Sequence, residues 1–135
     1  MRVHSHRVRY HEVDLQGYLF NARYLEIADV AMAEYFRSLG WTYQELNRAG
    51  MDPSVVSANL RFASPARFDD VLDVVARCNR VGNSSFDLEF TISSGSREIA
   101  TAELAYVNVD AAQARARPIP PSVRTAMTDE QGERP

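Results

Sequence analysis

Asp14, Gly17 and Asn21 stand in the stretch Val13-Asp-Leu-Gln-Gly-Tyr-Leu-Phe-Asn-Ala-Arg-Tyr24, immediately ahead of the longest helical pattern in the chain. A carboxylate is ordinarily ionised at neutral pH, so it can attack an acyl carbon or activate water. The first backbone N–H groups of a helix have no intrahelical acceptor, and the helix end carries partial positive charge. A carboxylate before such an end is therefore equipped for acyl transfer, with the free backbone N–H groups there able to receive a developing oxyanion. The bland alternative is an ordinary loop aspartate or helix-proximal cap, with Asn21 as a simple N-cap. Glu12 is the competing acid, two residues earlier, and is read as a supporting residue rather than the reacting one.

These side chains need elements to hold them. Arg7 to Asp14 reads as a strand, with Val8, Tyr10, Glu12 and Asp14 on one face at period two, and Gly17 permits the tight turn that follows. From Asn21 to Leu39 the spacing becomes helical. Leu25, Ala28, Met32, Tyr35, Phe36 and Leu39 form one stripe, which Tyr24, Ile27 and Ala31 widen. So broad an apolar surface must be wrapped by something. Thr42 to Arg48 is a short second helix, and residues 55–62, 71–81, 86–93 and 98–109 read as strands. Gly82-Asn83 and Ser94-Gly95-Ser96 supply hairpin turns. One long helix with five antiparallel strands predicts an α+β domain whose sheet curls around the helix. The domain is expected to span residues 1–121, with a polar, flexible tail over 122–135.

Composition removes several chemistries. At 135 residues with 45% hydrophobic content, the chain is long enough for one domain with a proper core. All 15 basic residues are arginine, so Schiff-base, P-loop and general-base lysines do not exist here. A net charge of −3 argues against nucleic acid as a partner, although single arginines could still bind a phosphorylated ligand. Cys78 is the only cysteine and lies in a strand pattern, where it reads as a buried structural thiol. His4 and His6 near the terminus make a poor metal site, and no metal is expected. There is no G-x-S-x-G elbow. No apolar run nears the roughly 20 residues of a membrane span, and the N-terminus lacks the apolar core of a signal peptide. The expectation is a cytoplasmic protein without membrane contact.

Several motifs together resemble one family. Asp14, Gly17, Asn21, Tyr24 and Leu25 make a D-x-x-G-x-x-x-N-x-x-Y-L pattern after Val8-Arg9-Tyr10. Ser64-Pro65-Ala66-Arg67-Phe68-Asp69-Asp70 leads into a strand, Gly82-Asn83-Ser84-Ser85-Phe86 makes a mid-sheet turn, and Pro118-Ile119-Pro120 follows the last strand. In this order they resemble the hotdog-fold acyl-CoA thioesterases of the 4-hydroxybenzoyl-CoA thioesterase-like group, from about His6 to Pro121.

The resemblance implies a homodimer at least, and a homotetramer in many members, with sites between subunits. It implies a catalytic carboxylate at Asp14, with a backbone N–H at Asn21 or Ala22 polarising the thioester carbonyl. Nucleophilic and general-base routes both stay open. Gly17, Tyr24, Arg67, Arg80, Ser84 and Ser85 are the candidate substrate contacts, the arginines and serines for the nucleotide end of coenzyme A. Tyr24 also fits the core, and Phe62, Phe68 and Phe86 offer apolar contacts for an acyl group. The substrate is an acyl-CoA or acyl carrier protein thioester, and no cofactor is implied beyond the coenzyme A it carries. Two other readings remain on the same fold. One is a non-catalytic acyl-CoA-binding module. The other is a hydratase or dehydratase, disfavoured because the histidines lie at the N-terminus, away from the long helix.

Overall fold

The computed structural model describes residues 1–132. In chain order it comprises β1 (Arg2–Arg7), a 3-10 turn (Tyr10–Glu12), α1 (Arg23–Ser38), α2 (Tyr43–Arg48), β2 (Pro53–Phe62), β3 (Val71–Val81), β4 (Ser85–Ser94), β5 (Arg97–Asp110), β6 (Arg115–Ala116) and α3 (Pro121–Gly132). The main sheet is antiparallel in the order β1-β3-β4-β5-β2, and the two-residue β6 pairs with β5. This sheet with α1 at its centre is the hotdog arrangement that the resemblance implies.

Alternation places the core. Leu72, Val74, Ala76 and Cys78 of β3, Phe86, Leu88, Phe90 and Ile92 of β4, and Ala100, Ala102, Leu104 and Tyr106 of β5 all point inward and are buried. They close over Tyr24, Ile27, Ala28, Ala31, Met32, Tyr35 and Phe36 of α1. Aromatic rings lock the layers together. Phe36 meets Phe86 edge-on at 5.7 Å, and Phe86 stacks on Tyr106 at 4.9 Å. Leu25, assigned to the buried stripe by spacing, is 41% exposed; the sheet covers the Tyr24–Ile27–Ala28 side of that turn instead.

Two expectations need correction. No strand runs over Arg7 to Asp14 as expected: the strand lies earlier, over Arg2–Arg7, and Tyr10–Glu12 is a 3-10 turn. Val8 alone of that face keeps to the sheet, its N–H donating to Asp70 O at 2.9 Å and its carbonyl accepting from Asp69. Beyond it the Glu12 carboxylate accepts from Arg9 N–H at 2.7 Å and curls the chain. The flexible tail expected from Ser122 is instead helix α3 as far as Gly132, and residues 133–135 lie outside the described ones. Val123 and Met127 are fully buried, Arg124 donates to Gly82 O at 2.6 Å, and Gln131 donates to Cys78 O at 2.8 Å. A stripe of two apolar residues is too thin to register as an amphipathic pattern. Among the described residues no helix is long and apolar enough to cross a membrane.

Because α3 fills space against β3, Met127→Ala should destabilise the protein by about 2–5 kcal/mol. Urea denaturation measures this, and a midpoint unchanged from wild type would contradict the packing.

Candidate active site

Asp14 lies in a turn pinned on both sides. Its N–H donates to Tyr18 O at 2.8 Å, its carbonyl accepts from Gly17 at 2.9 Å, and Val13 and Leu19 form an antiparallel bridge. Gly17 adopts φ +79°, the left-handed conformation that makes a glycine fitting at this turn. The turn docks on residues 66–67, where Leu19 N–H donates to Ala66 O at 2.7 Å and Tyr18 bridges Arg67. The Arg67 guanidinium sits 5.2 Å over the Tyr18 ring. The Asp14 carboxylate is fixed through one oxygen. Oδ1 accepts from Gln16 N–H at 2.9 Å and Tyr18 N–H at 3.2 Å, and Oδ2 accepts no bond among the described residues. One oxygen holds the orientation while the other keeps its lone pairs.

The helix end differs in detail from the sequence expectation. Asn21 makes no cap; Ala22 occupies the N-cap position in αR geometry with no side-chain bond. Three carbonyls close the first turn instead: Phe20, Asn21 and Ala22 accept from Arg23, Tyr24 and Leu25 at 2.9, 3.3 and 3.3 Å. The N–H groups of Asn21 and Ala22 have no backbone acceptor among the described residues, so they remain available to a ligand.

Asp14 and Asn21 line one cleft of about 310 Å³, together with Gln16, Tyr18, Tyr24 and the wall Phe62–Pro65. Tyr24 is both a core residue, 2% exposed, and part of this lining, with its ring 5.0 Å from Phe62. The wall is braced by Arg97, which donates to Pro65 O and to Asp70, each at 2.8 Å. The Arg67 N–H, seconded by the Arg97 guanidinium, holds the Asp70 carboxyl below its ordinary range. Ser64, Pro65 and Arg97 were not singled out as site residues in the sequence, because only the fold carries the end of β2 to the turn. Of the proposed acyl contacts, Phe62 reaches the cleft, Phe86 belongs to the core, and Phe68 is 56% exposed and outside the lining.

Arg80, Ser84 and Ser85 are not brought to this cleft within one chain. They sit at the β3–β4 hairpin, at the far end of β3, roughly 30 Å of strand from Arg67. There Arg80 is paired with Asp87 at 2.9 and 3.1 Å and donates to Ser85 Oγ at 3.0 Å. Glu12 turns away from Asp14. It lines a second cleft of about 190 Å³ with His4, His6 and the α1 residues Arg23, Glu26, Ile27 and Val30. The histidines were expected away from the long helix and on the surface. His4 and His6 instead lie partly buried against it, because β1 folds back along α1. Burial, ahead of neighbouring His6, lowers the His4 pKa, while Glu34 opposes the shift. Among the described residues no group of three or more His, Cys, Asp or Glu is placed to hold a metal.

The family model of the thioesterase-like superfamily matches residues 8–127. The acyl-CoA thioesterase YbgC of Haemophilus influenzae is 26% identical over 89% of both chains. The solved gentisyl-coenzyme A thioesterase BH1999 superposes with a TM-score of 0.85 at 28% identity, covering 93% of this chain and 99% of the other. Slr0204 of Synechocystis, a 1,4-dihydroxy-2-naphthoyl-CoA thioesterase, shares the fold with a TM-score of 0.81 at 21% identity, covering 93% and 94%.

Glu12 gives the turn a pH signature. Burial pushes its carboxyl up, but Arg9 N–H and the His6 ring outweigh this and hold it below its ordinary 4.5. A depressed carboxylate contributes stability that is complete above 4.5 and is lost as pH falls through the folded-state value. Wild type should therefore exceed Glu12→Gln in stability near neutral pH, with the gap closing in acid. Thermal unfolding of both proteins across pH 3–7 measures it; a pH-independent gap would contradict the assigned bonds.

Proposed function

The chain belongs to the thioesterase-like superfamily, and from that premise we propose that it hydrolyses an acyl-CoA, or an acyl group on an acyl carrier protein, in the cleft that Asp14 lines. The observation that carries this reading is the shared lining. Asp14, its carboxylate oriented by two N–H bonds, and Asn21, whose N–H is unclaimed beside the start of α1, line the same 310 Å³ space, with Ala22 next to Asn21 but outside that lining. The names of YbgC and BH1999 support thioester hydrolysis as the reaction class.

In this reading the thioester carbonyl oxygen is held by the Asn21 and Ala22 N–H groups, which draw electrons from the acyl carbon. The free Oδ2 of Asp14 either attacks that carbon, giving a mixed anhydride that water then cleaves, or takes a proton from an attacking water. Both routes break the C–S bond and release a carboxylic acid and the coenzyme A or carrier thiol. Either needs only a modest catalyst, because thiolate leaves readily.

The functional unit is a homodimer at least, with tetramers formed by pairing dimers. Support comes from β2, which among the described residues is paired only with β5 and leaves its other edge open. Val55, Val56 and Phe62 on it are 47%, 61% and 52% exposed, an arrangement that invites a second copy. Phe62 also lines the cleft, so a partner strand there would complete the acyl wall. In such an assembly a partner could bring its β3–β4 hairpin, with Arg80, Ser84 and Ser85, toward the nucleotide end of the substrate.

A thiol-detecting assay over a panel of aliphatic and aromatic acyl-CoAs tests the reaction. Asp14→Asn should lower kcat on the order of 10²–10⁴-fold with its circular dichroism unchanged. Full activity in that variant removes Asp14 from the chemistry, and tight binding without turnover by wild type would point to a binding module. Light scattering tests the assembly: wild type should have at least twice the protomer mass, and Val56→Asp should shift it toward the monomer. A monomeric wild type would refute the shared-edge reading.

A further inference from the structure

We propose that His6 and Glu12 form a positioning pair that sets the separation between the Asp14 carboxylate and the free N–H groups of Asn21 and Ala22. The inference rests on the hydrolase reading for its kinetic consequence, but its geometry stands separately. Glu12 is two residues before Asp14, and its carbonyl accepts from Phe20 N–H at 3.0 Å, the residue directly before Asn21. One peptide unit thus joins the arm carrying the carboxylate to the arm carrying the oxyanion donors. Whatever fixes Glu12 fixes both.

Three bonds fix it. Its N–H donates to Arg9 O at 3.0 Å, and its Oε1 accepts from Arg9 N–H at 2.7 Å and from His6 Nε2–H at 2.9 Å. The first two are local to the 3-10 turn. Only His6 reaches outside it, and His6 belongs to β1, where it pairs with Leu72 of β3. The contact therefore ties the catalytic turn to the rigid sheet. His6 and Glu12 side chains are 14% and 12% exposed, so water competes weakly for the bond. A carboxylate only accepts, so Nε2 carries the proton whether the ring is neutral or charged. The other charged and titratable groups around the pair are His4 of β1, His11 of the 3-10 turn, and Arg23 and Glu26 of α1. Arg23 is already engaged with Glu26 at 3.0 Å, which leaves Glu12 to His6.

The test compares His6→Gln with His6→Asn. A glutamine amide nitrogen can occupy the Nε2 position and still donate to Glu12; an asparagine is too short. Both are neutral and polar, and thermal melts confirm that each is folded. His6→Gln should keep kcat within about two-fold of wild type, and His6→Asn should lose about 10- to 100-fold in kcat with KM little changed. The double variant His6→Asn/Glu12→Ala should be no slower than Glu12→Ala alone, as expected of residues acting as one unit. Equal kcat for the glutamine and asparagine variants, or additive losses in the double variant, overturns the proposal while leaving the Asp14 reading intact. A wild type that turns over no thioester refutes that reading instead. The pair is then judged by amide exchange at Tyr18 and Phe20, which should be faster in His6→Asn than in His6→Gln; equal exchange overturns it.

Discussion

Burial of one apolar helix beneath a curled antiparallel sheet is the constraint on which everything else depends. Seven side chains of α1, from Tyr24 to Phe36, are buried against or beside the inward faces of β3, β4 and β5. Close packing on such a face leaves the helix little freedom to slide or rotate. The N-terminal end of α1 is thereby set at one edge of the sheet. The unclaimed N–H groups of Asn21 and Ala22 inherit that position.

The carboxylate reaches the same place by a different route. The Asp14 turn contributes little to the core beyond Leu19, and it is held by directional bonds instead. Backbone bonds join it to Ala66 and Phe20, a bridge joins it to Arg67, and the Glu12–His6 contact joins its stem to β1. A packed element and a hydrogen-bonded turn thus converge. The first supplies rigidity through burial, and the second supplies orientation through geometry. Arg97 completes the frame by bracing the opposite wall at Pro65 and Asp70.

The same economy leaves β2 unusual. It has a full ladder with β5 on one side, yet most of its residues are exposed, because α1 lies under the other strands. An apolar strand with a free edge is a liability for an isolated protomer. In the proposed dimer a partner strand on this edge would close the cleft at Phe62. Fold and proposed function therefore meet at this strand as well as at α1.

Periodicity alone was enough for much of this. The spacing of Leu25, Ala28, Met32, Tyr35, Phe36 and Leu39, widened by Tyr24, Ile27 and Ala31, marks a buried helix, though Leu25 itself is exposed. Alternation in 71–81, 86–93 and 98–109, with turns at Gly82-Asn83 and Ser94–Ser96, marks the hairpins, since both are local properties of the backbone. Gly17 marked a tight turn after Asp14, which spacing put at a strand's end and which the structure holds within the turn itself. Where spacing misled, a contact distant in sequence was responsible. Val8 extends the pairing of β1 toward Asp69 and Asp70, and the Glu12 carboxylate, held by His6 of β1 as well as by Arg9, curls the chain beyond it; Arg124 and Gln131 are held by the β3–β4 hairpin and Cys78, which turns an apparently polar tail into α3. The meeting of Asp14 with Ser64 and Pro65, and of His6 with Glu12 beside α1, likewise depended on tertiary structure. Residue order dictates which face of an element is apolar, because that repeats every two or 3.6 residues. Which polar groups meet across those elements has no period to read, because it depends on how the packed faces bring separate stretches of chain together.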